Sequence, residues 1–391
     1  MTSNAAPTRN LRMLNIVSIA LCVLTFGLIV WGAHVNTTRS GMAFPDWPTS
    51  NLAPMITYQP SEWLWAKDRF WEHGHRLFAS LVGLVTTVVL ILAVRITPVD
   101  ARPHRAIGIV VGVVLATIIT AIFGLNLMPP GFMEVFMIGL GVLLTAFLVK
   151  AAKAPSQSRL VWLSLAAFVG VCLQGTFGGY TVRNNLPDWT STTHGVLAEI
   201  FLMIIIGIAL LSSSSWNAKR AQPSVRSFTM SVVALTWGLT FLQFVLGALT
   251  RHTDAWGVSV TFPQWSEDGF LPSPDLWQHA QVTIHFLHRT TAYLVAFFVI
   301  LQYFIVRRDG APRDVRRSSM FAALLVLVQV FLGAMILWTY RGELVTTLHV
   351  MTGVVLVILN TITMYSTFRR PLTQPSPNAM SGGVVAGQGG H

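Results

Sequence analysis

A chain of 391 residues that is 53% hydrophobic and only 10% charged, with a mean hydropathy of +0.60, cannot be a soluble globular protein, in which roughly a quarter of the residues would carry charge. The net charge of +11 does not point to nucleic acid either, because the cations stand between apolar runs rather than on one face of a soluble module. The composition is that of an all-α polytopic membrane protein; its two cysteines, Cys22 and Cys172, lie inside apolar runs, are read as small core residues and say nothing about redox compartment.

The first apolar run, 14–33, follows Arg9 and Arg12 and at about 20 residues is long enough to span a bilayer. It lacks a small-residue cleavage site and is therefore read as a helix, not a leader. Nine further runs, at 73–95, 106–127, 132–150, 160–182, 192–212, 228–249, 282–305, 319–338 and 345–366, bring the expectation to about ten transmembrane helices. Of the 26 Lys and Arg, all but Arg39, Lys67, Arg69, Arg76, Arg183, Arg251, Arg289 and Arg341 fall in alternate connections or at the termini. By the positive-inside tendency both termini are then cytoplasmic, and two long loops, 34–72 and 250–281, are external. These loops carry Phe44-Pro45-Asp46-Trp47-Pro48 and Phe262-Pro263-Gln264-Trp265, which suit either an aromatic interfacial belt or a lid over a buried site.

Self-comparison exposes a repeat. Gln174 and Gly178 precede His194 by 20 and 16 residues, and Gln329 and Gly333 precede His349 by the same intervals. Gly32-Ala33 likewise precedes His75 by 43 residues and Gly247-Ala248 precedes His288 by 41, across the two long loops. The expected architecture is two pseudo-symmetric four-helix bundles, 14–213 and 228–367, with a structural helical hairpin inserted at about 106–150 in the first. Residues 1–13 form a cytoplasmic N-terminus and 214–227 a cytoplasmic linker. The tail, 368–391, rich in Pro, Ser, Gly, Asn and Gln, is expected to be disordered.

An ionisable side chain within a span usually faces a bundle interior and marks a functional site. His75, His194, His288 and His349 all stand at the external ends of their helices and fall into two equivalent pairs, which argues against isolated histidines serving only as hydrogen-bonding glue. Imidazole is the common axial ligand of haem iron, whereas a structural zinc site would need a further cluster of cysteines or acids that the sequence does not offer. The pairs expected are His75 with His194 and His288 with His349. Arg76, Arg289, Arg39 and Arg251 are candidates for haem propionates, with interfacial snorkelling as the alternative.

Glu72, three residues before His75, has His285 as its counterpart and breaks the symmetry as a reacting site should. Its alternative role is an ion pair with Arg76 or Arg69. His73 and His285 are weaker candidates, Glu199 lies deep in its span without an identifiable partner, and His34, His252 and His279 are expected as solvated loop residues.

The run Glu72-x-x-His75-Arg76, the segment Leu173 to Gly179 with His194, Gly247-Ala248-Leu249-Thr250-Arg251, His285-x-x-His288-Arg289 and Gln329 to Gly333 with His349 together resemble the haem A synthase family of cytochrome oxidase assembly. That resemblance implies an oxidoreductase that converts haem O to haem A by successive oxidation of a ring methyl to formyl, with water as the oxygen source and Glu72 in the catalytic position. It further implies haem b as cofactor between His288 and His349, haem O near His75 and His194, and a bacterial-type plasma membrane with the haem sites toward its outer face. Expected partners are membrane lipid, a haem O synthase, a quinone or other electron acceptor, and a second copy of the chain. Many members carry a cysteine pair in the first external loop; here Phe44 and Ser50 stand in those places, which excludes a thiol mechanism there. A dihaem b-type electron carrier and a haem-handling protein are the competing readings of the same residues.

Overall fold

The computed structural model describes residues 5–123, 131–217, 225–267 and 269–369, with side chains for 10–115, 131–216, 225–267 and 269–369. The expectations placed on the turn of the inserted hairpin at 124–130, on Lys219 and Arg220, and on the tail beyond Arg369 lie outside the described residues.

In chain order the helices are α1 (Ala5–Thr37), α2 (Lys67–Ile96), α3 (His104–Phe123), α4 (Phe132–Lys153), α5 (Ser156–Arg183), α6 (Asp188–Ser212), the single turn α7 (Ser214–Asn217), α8 (Ser227–His252), α9 (Ala280–Arg308), α10 (Arg313–Trp338) and α11 (Glu343–Thr367). Among the described residues nine helices are long and apolar enough to cross a bilayer, and α3 contributes a shorter apolar stretch, His104–Leu115, where the remaining span was expected. The protein is an integral membrane protein. Prolines at 155, 187 and 312 immediately precede α5, α6 and α10, where a missing amide hydrogen leaves no intrahelical bond unmade. Threonines inside the spans bond back to their own helix, as Thr86 does to the Val82 carbonyl (2.7 Å) and Thr236 to that of Val232 (2.8 Å). These two hydroxyls are thereby satisfied in an apolar surrounding.

Two squares of helices result. In the first, α1 packs on α2 and α6 while α5 packs on the same two, which places α2 and α6 on one diagonal. In the second, α8 and α10 each pack on α9 and α11, so α9 and α11 form the matching diagonal. The inserted α3 and α4 lie against α5 outside the first square, where the Tyr180 hydroxyl donates to Glu134 (3.0 Å) and Phe147 meets Trp162.

The duplication extends to the backbone. Arg39 (φ 56°) and Asp254 (φ 52°) adopt left-handed conformations seven residues after Gly32 and Gly247, and the left-handed pairs Asn185-Leu186 and Tyr340-Arg341 stand at the same distance before His194 and His349. The squares join through α1 and α6 against α8 and α11. At one end of this junction Arg251 donates to Asn36 Oδ1 (2.6 Å), to Thr37 Oγ1 (2.7 Å) and to the Ala33 carbonyl, and so covers the end of α1.

One expectation is overturned here. His34 and His252 are not solvated loop residues, because α1 and α8 run past their expected ends at 33 and 249. Both are half-buried at the junction of the squares, with His34 Nδ1 3.3 Å from Thr347 Oγ1 and His252 Nδ1 3.4 Å from Asn36 Nδ2. His279 is exposed just before α9, as expected.

Candidate functional site

The first long loop is a packed lid. Its strands β1 (Thr49–Ser50) and β2 (Ala53–Pro54) form a hairpin whose turn residues, Asn51 and Leu52, have φ of 53° and 64°. The Asp46 carboxylate organises this turn by accepting from the amides of Asn51 and Leu52 (2.9 Å each) and from the Thr49 hydroxyl (2.5 Å). Partial burial would raise its pKa, but these three donors outweigh that and hold the carboxyl below its ordinary value. Phe44 and Ser50 are fully buried, and the Trp47 ring lies against Gly179 of α5, where a methyl group would strike it.

The grip of α2 on this lid uses several of the residues expected at the site. Arg76 donates to the carbonyls of Asp46 (2.8 Å), Thr49 (2.8 Å) and Phe44 (2.7 Å), and its guanidinium lies 5.5 Å from the centre of the Phe44 ring. Glu72 pairs with Arg76 and accepts the Phe44 amide (2.9 Å). His73 is buried against Phe44, Tyr58 and Trp63, with Nδ1 3.1 Å from Ser50 Oγ. The positions where many relatives were expected to carry cysteines, Phe44 and Ser50, thus converge on one histidine.

The second loop is held in an equivalent way. Arg289 donates to the carbonyls of Pro263 (3.1 Å) and Gln264 (2.8 Å) and to Ser259 Oγ (3.0 Å), and lies over Phe262 and Trp265. His285, in the place of Glu72, is buried beside Trp265 with Nδ1 unpartnered. The structure therefore places Arg76, Arg289 and Arg251 on loop or helix carbonyls, while Arg39 is exposed at its turn and makes no contact of this kind among the described residues.

Behind each lid stand two of the four histidines, on the diagonal helices α2 and α6 and again on α9 and α11. His75 and His194 thus stand on opposite corners of the first square, and His288 and His349 on those of the second. Every one of the four rings rests on a glycine of the preceding helix. A Cβ built at Gly32 would come within 2.8 Å of His75 Cε1, at Gly178 within 3.0 Å of His194, at Gly247 within 3.0 Å of His288 and at Gly333 within 3.2 Å of His349. Only glycine allows an imidazole to lie that close to the neighbouring backbone.

Three of the rings also meet a glutamine amide. Gln174 Nε2 donates to the His194 carbonyl (2.9 Å) and lies 3.4 Å from its ring, and Gln243 Nε2 does the same at His288 (2.9 and 3.0 Å). Gln329 Nε2 lies 3.3 Å from the His349 ring while its oxygen accepts from Thr352. Gln243 was not singled out in the sequence, although it precedes Gly247 by the same four residues that separate Gln174 from Gly178.

These residues fit a porphyrin iron. Nδ1 of His75, His194 and His349 is buried without a partner, the glycine beds hold the rings on facing diagonals, and two neutral imidazoles are the donor set that axial ligation uses. Among the described residues no three His, Cys, Asp or Glu side chains gather as a protein-only metal site. Glu199, five residues beyond His194, is fully buried with neither carboxylate oxygen hydrogen-bonded.

Comparison with known proteins decides the family. The cytochrome oxidase assembly protein family (COX15-CtaA) matches residues 15–137 and 134–361. The chain belongs to this family. Among curated relatives it is 29% identical to a protein of Bradyrhizobium sp. strain ORS 278 over 260 residues, 62% of this chain and 69% of the relative. It is 24% identical to one of Symbiobacterium thermophilum over 346 residues (87% and 90%) and 24% identical to one of Paracoccus denitrificans strain Pd 1222 over 352 residues (81% and 78%). Each of these three relatives is named Heme A synthase.

Proposed function

We propose that this chain is a haem A synthase, a membrane oxidoreductase that takes haem O as substrate and oxidises one porphyrin methyl to formyl. The observation that carries the reading is the repeated arrangement of two imidazoles on diagonal helices, each bedded on a glycine, in a chain of this family.

The division of labour is assigned as follows. His288 and His349, both touched by glutamine amides, hold a resident haem b; His75 and His194 hold the substrate. When bound, the resident haem supplies a one-electron relay. Converting a methyl group and one water to a formyl group releases four electrons and four protons, so an acceptor such as a quinone completes the reaction. Glu72 is assigned the task of taking a proton from that water, and Arg76, bonded to both Glu72 and the loop carbonyls, keeps carboxylate and lid in register. The lids over both bundle ends exclude bulk water from the reacting methyl. Arg39, exposed at the end of α1, is assigned to a propionate. The cation distribution orients the lids outward, with both termini in the cytoplasm.

Reconstitution of the purified protein with haem O and an electron acceptor, followed by extraction and mass analysis of the haems, tests this reading. A formyl-bearing porphyrin is the expected product. Unchanged haem O together with rapid haem reduction by quinol would replace the reading with that of an electron carrier.

A further inference from the structure

The four imidazole corners are built to one plan with a single exception. In three of them a glutamine stands four residues before the bedding glycine: Gln174 before Gly178, Gln243 before Gly247 and Gln329 before Gly333. One helical turn separates the two positions, so the same helix that seats the ring also presents an amide to it. In the fourth corner the residue four before Gly32 is Leu28, which packs into the apolar cluster of the first square. Among the described residues the His75 side chain makes no hydrogen bond, and its Nδ1 is buried and unpartnered.

We propose that His75 is the releasable ligand of the first site, and that Leu28, by withholding the fourth amide, makes it so. The proposal rests on the reading that the four histidines hold two porphyrins, and goes beyond it by naming the bond that opens for exchange. Each glutamine amide holds its histidine in place, through the histidine's own carbonyl at His194 and His288 and against the ring at all three, and loss of an outer contact of this kind weakens a metal bond by about 10- to 100-fold. A resident cofactor needs both of its ligands held, and His288 and His349 both are. A substrate that must leave as product needs one that lets go. His194 retains its amide and keeps the porphyrin oriented while His75 swings clear. Leu28 and the glutamines are positioning residues in this account, since each acts through a histidine.

The test is haem dissociation rather than turnover. The full-length protein is loaded with haem b at both sites and mixed with excess apomyoglobin as scavenger, and haem loss is followed by absorbance. Two phases are expected, the fast one quickened further or lost in His75→Ala and the slow one unchanged there. Leu28→Gln should slow the fast phase by about 10-fold or more and leave the slow one unchanged. Gln243→Leu and Gln329→Leu should each speed the slow phase by a similar factor, without touching the fast one. An unchanged fast phase in Leu28→Gln protein that retains the low-spin spectrum of the slow site would overturn the proposal. Should that variant not fold, Gln174→Leu serves instead: a faster fast phase supports the proposal and an unchanged one refutes it. Two haems leaving at one common rate would refute the releasable ligand alone. Binding of a single haem, or a His75→Ala protein in which the slow phase changes and the fast one does not, would refute the two-pair reading beneath it.

Discussion

The two external lids show what a duplicated unit keeps and what it changes. Both are tied down by the arginine that follows a site histidine, and both offer that arginine backbone carbonyls over aromatic rings. In the first lid the arginine is buried and carries a carboxylate, Glu72; in the second it is more accessible and a histidine, His285, stands in the place of the carboxylate. The scaffold is thus common to both halves, and the difference lies in one buried charge pair on the side assigned to the reaction. Carrying that pair costs desolvation, which its hydrogen bonds to the lid offset.

Removing one member of the pair should give the largest difference between the halves. Glu72→Ala strands a buried guanidinium, a change that costs about 3–5 kcal/mol, whereas Arg289→Ala removes hydrogen bonds from a charged donor worth about 1.5–3 kcal/mol. Proteolytic nicking of the two loops in detergent should therefore rise far more in Glu72→Ala than in Arg289→Ala. Glu72→Ala should also abolish turnover while keeping the low-spin spectrum of the His288 and His349 site. Equal nicking in the two variants would show that the halves do not differ as described.

A smaller and graded effect is expected at the glycine beds. Alanine at Gly32, Gly178, Gly247 or Gly333 overpacks the ring above it, at a cost of about 1–3 kcal/mol. The approach distances order the corners, with Gly32→Ala the most disturbed and Gly333→Ala the least. Thermal stability measured alongside haem content checks this order, and a reversal would show that the rings shift freely within their corners.

The weakest effect is confined to the first lid and depends on pH. The folded pKa of Asp46 is held below its unfolded value, so the stabilisation it gives is fully present above the unfolded value and is lost as pH falls through the folded one. Hydrogen exchange of residues 49–54 should stay protected at neutral and mildly acidic pH and quicken only below the ordinary aspartate range. In Asp46→Asn protein the exchange should be faster at neutral pH and flat across this window. In the second lid the residue that follows Phe262-Pro263, as Asp46 follows Phe44-Pro45, is Gln264, which carries no titrating carboxyl.

Much of this was legible in the sequence because membrane helices declare themselves by length, and a repeat declares itself by spacing. The Gln174–His194 and Gln329–His349 intervals, together with those from Gly32 to His75 and from Gly247 to His288, pointed to the duplication and to the four imidazoles that the structure beds on glycines. What the sequence could not convey were directions. Arg76 and Arg289 read equally well as partners for propionates, and only the fold of each loop shows their donors turned onto carbonyls. Glu72 shares a helix face with His75, yet it is Arg76 and the Phe44 amide that occupy its oxygens. The ends of α1 and α8 were misjudged because Asn36, Thr37, Arg251 and His252 are polar and read as loop, whereas the contact between the two squares keeps them helical. Gln243 was overlooked because its spacing to His288 includes a long loop, which hides the regularity that the other two glutamines display.

Everything above depends on the histidines acting as two diagonal pairs, and spectroscopy of single-histidine variants tests this most directly. In protein loaded with two haems, electron paramagnetic resonance should resolve two low-spin ferric signals. His288→Ala and His349→Ala should each remove one and the same signal, and His75→Ala and His194→Ala should each remove the other. Loss of one signal through a histidine from each half, such as His194 together with His349, would contradict the account.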